Sequence, residues 1–138
     1  MKKVLTLFIL LLGLSLAGAA CGGGGPSKSI RVTINDFAFS PNTFKVPAGE
    51  QISFSASNNG AVQHDFIIMN LGHDVQGQFK EEDKANVYWK KEFIEPGGSV
   101  TDTFTAPGEP GEYQVICGIA GHFQAGMIGK LVVVAPSP

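Results

Sequence analysis

The residues best suited to chemistry lie in one short segment near the carboxyl end of the chain. Four residues separate Cys117 from His122, and four more separate His122 from Met127. Thiolate sulfur is a soft ligand that suits Cu(I), and imidazole is a common copper ligand. Three glycines inside the segment permit the tight backbone that such a loop requires. The segment therefore predicts a loop between two strands whose Cys, His and Met side chains point at one metal ion.

This loop supplies a single histidine, so a further imidazole must come from another part of the chain. His64 is the best candidate, because it lies in an apolar stretch, residues 62–69, where a buried imidazole has no other evident purpose. His73 lies in a polar segment and is interpreted as a surface residue. Two His and one Cys with a weak, distant Met form the ligand set of copper sites that transfer single electrons. The ligands predicted for one copper ion are His64, Cys117, His122 and Met127.

Each of these residues has an ordinary explanation when it is taken alone. Met127 could pack in a core, His122 could lie at the surface, and Cys117 could be an inert buried thiol. Their coincidence in one loop, with His64 upstream, favours the metal site. Zinc binds the same cysteine and histidine ligands and could occupy the site when copper is scarce.

The amino-terminal residues have the layout of an export signal. Two lysines precede a mostly apolar stretch, residues 4–16, and small residues follow at 17–20. The apolar stretch is short for a membrane-spanning helix, which needs about 20 residues. The sequence predicts a signal peptide over 1–20, a Gly/Ser-rich tether over 21–29 and one folded domain over 30–135.

Cys21 directly follows the small residues, as the acylated cysteine of a bacterial lipoprotein does, although Gly18 stands where that family usually has Leu. We predict an exported protein, in the periplasm or on the outer face of the cell membrane, anchored by a lipid on Cys21. Secretion without a lipid and a retained membrane anchor are the alternatives. Cys21 and Cys117 are the two cysteines of the chain and could pair, but lipidation of Cys21 leaves Cys117 as an exported thiol that metal ligation explains.

The rest of the sequence predicts short strands and turns. Alternation of apolar and polar residues is clearest at 52–57, and no long stretch has the 3.6-residue period of a helix. The pattern indicates an all-β fold, a Greek-key β-sandwich of about seven strands. A long polar insertion at about 70–98 interrupts it, with one short helix and a strand near 87–93 predicted inside. The charged run at 80–84 is interpreted as a solvated surface.

The chain resembles the cupredoxins of the plastocyanin/azurin superfamily, because an upstream histidine, His64, is followed by the spacing of Cys117, His122 and Met127. Within that superfamily it is most similar to the auracyanin group. Auracyanins are membrane-associated members of photosynthetic electron-transport chains. The resemblance covers about residues 29–135 and implies three strong equatorial ligands, His64, Cys117 and His122, with Met127 axial. One departure is Asp65, because many members have Asn after the first His, where its amide bonds to the Cys loop.

Resemblance to this superfamily implies a monomeric electron carrier rather than an enzyme. His122 lies in the middle of the loop and is predicted to be the ligand nearest the surface. We expect redox protein partners to dock weakly there, at an apolar collar formed by Ile119, Ala120, Phe123 and Ala125.

The formal net charge of −2 and the absence of a basic cluster argue against nucleic acid as a partner. Copper binding for buffering or delivery would use the same ligands, although few additional Met and His residues are present. Copper oxidases and nitrite reductases share the fold but need further His-rich centres, and hydrolysis by the Cys117 thiol would leave Met127 unexplained.

Overall fold

Nine short strands and one 3-10 helix form the part of the chain that the structure, a computed structural model, describes, residues 25–136. The predicted signal peptide and residues 21–24 of the predicted tether, with Cys21 among them, lie outside these residues. The strands are β1 Ser29–Asn35, β2 Ala38–Ser40, β3 Thr43–Pro47, β4 Gln51–Asn58, β5 His64–Met69, β6 Val87–Ile94, β7 Ser99–Thr105, β8 Gly111–Ile116 and β9 Ile128–Val134. The 3-10 helix spans Glu81–Asn86. In the described residues there is no helix of sufficient length and apolar character to cross a membrane.

The strands form two sheets that face each other across one main core. The first sheet has the order β2-β1-β4-β7, and the second has the order β3-β9-β8-β5-β6. Alternate residues of β1 and β4 are buried, as the alternation of apolar and polar residues requires. The predicted all-β, Greek-key β-sandwich is thus confirmed, with nine strands where about seven were expected.

Phe66 of β5 lies at the centre of an aromatic cluster in the main core. Its ring centroid is 4.9 Å from that of Phe54, on the opposite sheet, and 5.5 Å from that of Phe44 on its own sheet. Phe39 and Trp89 complete the cluster, at 5.3 and 6.5 Å from Phe66. Edge-to-face aromatic packing of this kind contributes beyond area burial alone. The cluster therefore packs the two sheets against each other around β5, the strand that begins with His64.

Strand order and direction bring distant parts of the chain to one end of the sandwich. β5 begins at His64 and runs antiparallel to β8, which ends at Ile116, one residue before Cys117. β1 and β4 are parallel, so the end of β1 lies beside the turn that leads from β4 to His64. All the predicted metal ligands are therefore at the same end, together with the tip that joins β1 to β2.

The predicted insertion at 70–98 contains a real strand of the second sheet. β6 covers Val87–Ile94 and pairs with β5, so the prediction of a strand near 87–93 is confirmed. The predicted short helix is the 3-10 helix at Glu81–Asn86, none of whose residues is buried. Its charged run forms local ion pairs such as that between Lys84 Nζ and Glu81 Oε2 at 2.6 Å. The part before the helix, residues 70–80, is a loop that packs back onto the sandwich.

Candidate metal centre

Three of the four predicted ligands meet at the end of the sandwich. One ligand atom each from His64, Cys117 and His122 lies within 4.8 Å of the other two, and all three residues are buried. The Cys117 Sγ is 3.3 Å from the His122 Nδ1. His64 is far from Cys117 and His122 in sequence, so the fold rather than local geometry brings it to the loop.

The loop from Cys117 to Met127 is held by its own backbone hydrogen bonds. The His122 N–H donates to the Ile119 carbonyl at 3.1 Å, and the Met127 N–H donates to the His122 carbonyl at 3.1 Å. Gly121 and Gly126 have φ values of 87° and 97°, a region that side-chain-bearing residues rarely adopt. The glycines are therefore needed where the sequence predicted a tight backbone.

Cys117 and Met127 lie just outside the ends of β8 and β9, at the two ends of the predicted loop. The Cys117 N–H still donates to the Met127 carbonyl, at a long 3.4 Å, because the two strands separate there to open the loop. Met127 is fully buried in the main core. Its backbone adjoins both Cys117 and His122, and its axial role stays a prediction.

His64 is completely buried, and its two ring nitrogens have different surroundings. Nε2 lies 3.2 Å from Oδ1 of Asp36. Nδ1 has no hydrogen-bond partner, although buried polar atoms are generally paired. An unpaired nitrogen with a lone pair, next to a thiol sulfur and a second imidazole, fits a metal ion. This observation tests the predicted ligand set independently of the spacing from which it was inferred.

The sulfur of Cys117 is surrounded by apolar groups and backbone amides. Burial raises the pKa of this thiol, while hydrogen bonds from the amides of Asp65 and Ile119 oppose the increase. The Asp65 N–H lies 3.3 Å from Sγ. A bound metal ion would have to displace the thiol proton, and the two amides are placed to stabilise the resulting thiolate.

Asp65 contacts the Cys117 sulfur through its backbone N–H, whereas its carboxylate bonds to the backbone of β6. Oδ1 accepts a hydrogen bond from the Phe93 N–H at 3.1 Å. Burial raises the pKa of the Asp65 carboxyl despite this bond. The observed hydrogen bond from Asp65 to the Cys117 loop is therefore the backbone one, from the Asp65 N–H to Sγ.

His122 is the predicted ligand nearest to solvent, as its position in the middle of the loop led us to expect. It is 8% exposed, whereas His64, Cys117 and Met127 are fully buried. Burial and the nearby His64 lower the pKa of His122, which favours the neutral imidazole that binds metals. The predicted collar residues are at or near the surface around it, with Ala120 and Ala125 exposed and Ile119 and Phe123 half-buried.

Two neighbouring residues at the β1–β2 tip belong to the site and were missed at the sequence level. Asp36 contacts His64, as described, and Phe37 places its ring centroid 5.0 Å from that of His122. Phe37 is 41% exposed and has a φ of 65°, uncommon for a residue with a side chain. Only its neighbour Asp36, a polar residue at a strand end, gave any signal in the sequence. His73, by contrast, is exposed, as predicted.

Residues 74–80, here called the covering segment, pack against the outer side of the ligand loop. Val75 is 2% exposed, and its N–H and carbonyl both bond to the Gln114 side chain. Phe79 and Phe123 pack against a second core cluster formed by Ile67, Met69, Val75 and Ile116. A Cβ at Gly118 would lie 3.2 Å from Cδ1 of Phe79, so this side of the loop has no room for a side chain.

Comparison with known proteins agrees with this geometry. The family model described as a cupredoxin-like domain matches residues 4–133. This chain therefore belongs to the cupredoxin family. It is 31% identical to auracyanin-A of Chloroflexus aurantiacus, an alignment that covers 96% of this chain and 99% of that protein.

Two further relatives set the chain among copper proteins. A solved structure of dithionite-reduced auracyanin from the photosynthetic bacterium Roseiflexus castenholzii matches with a TM-score of 0.69 and 30% identity, covering 80% of this chain and 99% of that one. The copper-resistant cuproprotein CopI of Rubrivivax gelatinosus is 31% identical, covering 77% of this chain and 66% of that protein. The cofactor predicted from the ligand types, one type 1 copper, is confirmed by family membership and fits the donor set.

Proposed function

We propose that this protein is a blue copper electron carrier that shuttles single electrons between membrane redox complexes. One observation carries the proposal: a thiol and two imidazoles meet in a buried cluster of which only His122 approaches the surface. Copper held there supplies a couple between Cu(I) and Cu(II). The assignment of His64, Cys117 and His122 as strong ligands and of Met127 as the weak axial ligand is part of this proposal.

The surrounding residues are suited to fast electron transfer because they resist rearrangement. Hydrogen bonds fix the loop backbone, and His64 is fixed by burial and by Asp36. A site that is held in one geometry for both oxidation states needs little reorganisation when an electron arrives or leaves. The apolar groups around Cys117 and the amides on its sulfur would set the reduction potential.

Redox partners are proposed to dock weakly around His122, and the carrier is proposed to act as a monomer. No residue between Cys117 and Ile128 carries a formal charge, and Phe37 extends the apolar surface beside His122. Transient redox encounters use small interfaces of this kind. Nucleic acid is not a proposed partner, since the chain has no basic cluster.

Ala125→Glu tests the docking surface, because a carboxylate added there must lose water when a partner binds. We expect electron exchange with a redox partner to slow at least severalfold, with an unchanged visible spectrum. Ala85→Glu, an equal charge change on the exposed 3-10 helix, is the control. Equal rates for the two variants and the unmodified protein would exclude the collar as the docking surface.

A periplasmic or outer-surface location, with a lipid on Cys21 as the membrane anchor, is proposed from the amino-terminal sequence. Intact-mass analysis of the protein purified from its native membrane tests this directly. A mass that begins at Cys21 and includes acyl chains supports the anchor. A mass without Cys21, or one with the signal residues retained, contradicts it.

The decisive test of the function is the visible spectrum of the purified protein after addition of Cu(II), followed by ascorbate. An intense blue thiolate-to-copper band that bleaches on reduction and returns on oxidation supports the electron carrier. A faint colour, or oxidation of Cys117 without a stable complex, refutes it.

Copper buffering or delivery is the second candidate, favoured by the similarity to the copper-resistant cuproprotein CopI. The two roles differ in kinetics, because a carrier retains its metal while it cycles. Rapid, repeated oxidation and reduction without copper loss to a chelator supports the carrier. An enzymatic role is not proposed, since the described residues form a single cluster of candidate metal ligands.

A further inference from the structure

Asp36 stands out among the residues around the metal centre because it is charged, lies at the β1–β2 tip and contacts a ligand from outside. Its Oδ1 is 3.2 Å from the Nε2 of His64, and its side chain is 38% exposed. Nothing in the local sequence links the two residues, which are 28 positions apart. The contact exists because β1 and β4 are parallel and therefore finish at the same end of the sandwich.

The position of this carboxylate is determined by a network of backbone contacts. Both Asp36 oxygens lie 3.0 Å from the Ala61 N–H. A Cβ at Gly60 would collide with Oδ1, so the turn must have glycine there for the carboxylate to approach. Asn58 fixes the same turn, since its side chain donates to the carbonyls of Val62 and Ile94 at 2.8 Å each.

A neutral imidazole carries one N–H and one lone pair, and the partner of one nitrogen decides which is which. A carboxylate can only accept, so Nε2 of His64 must carry the proton that it donates to Asp36. Nδ1 is then left with its lone pair, and this is the nitrogen that has no partner in the protein. Asp36 thus prepares His64 to bind through Nδ1 before a metal arrives.

We propose that Asp36 is a positioning residue of the copper centre, which fixes the Nε2–H form of His64 and favours Cu(II) over Cu(I). The negative charge reaches the metal through the imidazole, which it makes a stronger donor. A stronger donor stabilises the more highly charged oxidation state and therefore lowers the reduction potential. Only the functional meaning of the lowered reduction potential rests on the proposed electron-transfer function; the tautomer of His64 does not depend on it.

The test compares Asp36→Asn and Asp36→Ala with Asp102→Asn. The amide introduced by Asp36→Asn keeps an oxygen that can accept from His64 and Ala61, but it lacks the charge. Asp102 provides a control with the same charge change, because it lies on β7 and bonds to Lys91 and Thr103. The measurements are the reduction potential, the dissociation constant for Cu(II), and the ¹⁵N shifts of the His64 ring in metal-free protein.

We expect the Nε2–H form of His64 in the unmodified protein and in Asp36→Asn, and a mixture of forms in Asp36→Ala. Both variants should raise the potential, and Asp36→Ala should weaken Cu(II) binding by about 10–100-fold. Potentials and affinities that match those of Asp102→Asn would overturn the proposal, as would an Nδ1–H form in the unmodified protein. The tautomer is measured without copper, so it remains informative even if the protein proves not to be an electron carrier.

Discussion

At the scale of single residues, the metal centre consists of candidate donor atoms and of groups that hold those donors in position. Cys117, His64 and His122 present the atoms that could bind the metal, all within 4.8 Å. Asp36 and the Asp65 amide contact those donors from behind, at 3.2 and 3.3 Å respectively. Because these two groups contact the donor residues and not the metal itself, substitutions of them should change the reduction potential or the copper affinity without abolishing the site.

Met127→Leu is predicted to keep the blue band and to raise the reduction potential. The thiolate and imidazoles proposed to give the colour remain, whereas Cu(II) would lose the proposed weak axial donor and gain apolar surroundings. Exchange of Met for Leu in a core usually costs less than about 1.5 kcal/mol of stability. Voltammetry and visible spectroscopy provide the measurement.

Met69→Leu is the matched control for this variant, because Met69 is equally buried but belongs to the second core cluster. Its potential should equal that of the unmodified protein. If both Leu variants shift the potential alike, or neither does, Met127 is not an axial ligand.

At the scale of elements, three segments that are distant in sequence from the ligand loop hold it in place. β5 delivers His64, the β1–β2 tip places Phe37 against His122, and the covering segment lies on the outer side. The covering segment gives part of the predicted insertion a structural role. Gly118 has no space for a side chain, because an added Cβ would meet both Ile67 and Phe79.

Phe79→Ala is predicted to loosen this side of the loop and to accelerate copper loss to a chelator severalfold. Phe79 is half-buried, so the free energy of unfolding should fall by about 1–3 kcal/mol. Phe79→Leu keeps apolar bulk and should recover most of the retention, and Lys80→Ala, an exposed neighbour, should have no effect. Equal rates of copper loss for all of these variants would show that the covering segment does not hold the loop.

At the scale of the whole molecule, the sandwich is the rigid body on which the loop is mounted. Its core is continuous from the metal end, where Cys117 and Met127 are core members, to the aromatic cluster around Phe66. Because interiors are close-packed, a displacement in this core is transmitted to neighbouring strands. The ligand geometry therefore depends on the stability of both sheets.

Phe66→Ala is predicted to lower the free energy of unfolding of the metal-free protein by about 3–5 kcal/mol, the usual cost of truncating a buried Phe. Denaturant titration measures this value. Phe93→Ala makes the same chemical change at a side chain that is 68% exposed. Its cost should stay within about 0.5 kcal/mol, and comparable losses for the two variants would contradict a core centred on Phe66.

Several features were accessible from the sequence because they depend on residue types and short spacings. The Cys117, His122 and Met127 spacing identified the ligand loop, and alternation of apolar and polar residues identified the strands. The glycines that the loop needs stand at fixed positions in the same segment. His64 could be chosen because a histidine in an apolar strand requires a partner.

Only the tertiary structure decided which other residues support those ligands. Asp36, Phe37 and Phe79 reach the centre through strand order, the parallel pairing of β1 with β4 and the return of the covering segment. Contacts of this kind depend on how whole sheets are arranged, and a local sequence pattern carries no information about them. Residue types thus determined what the site could bind, and the packing of distant segments determined how firmly and in which tautomer its ligands are held.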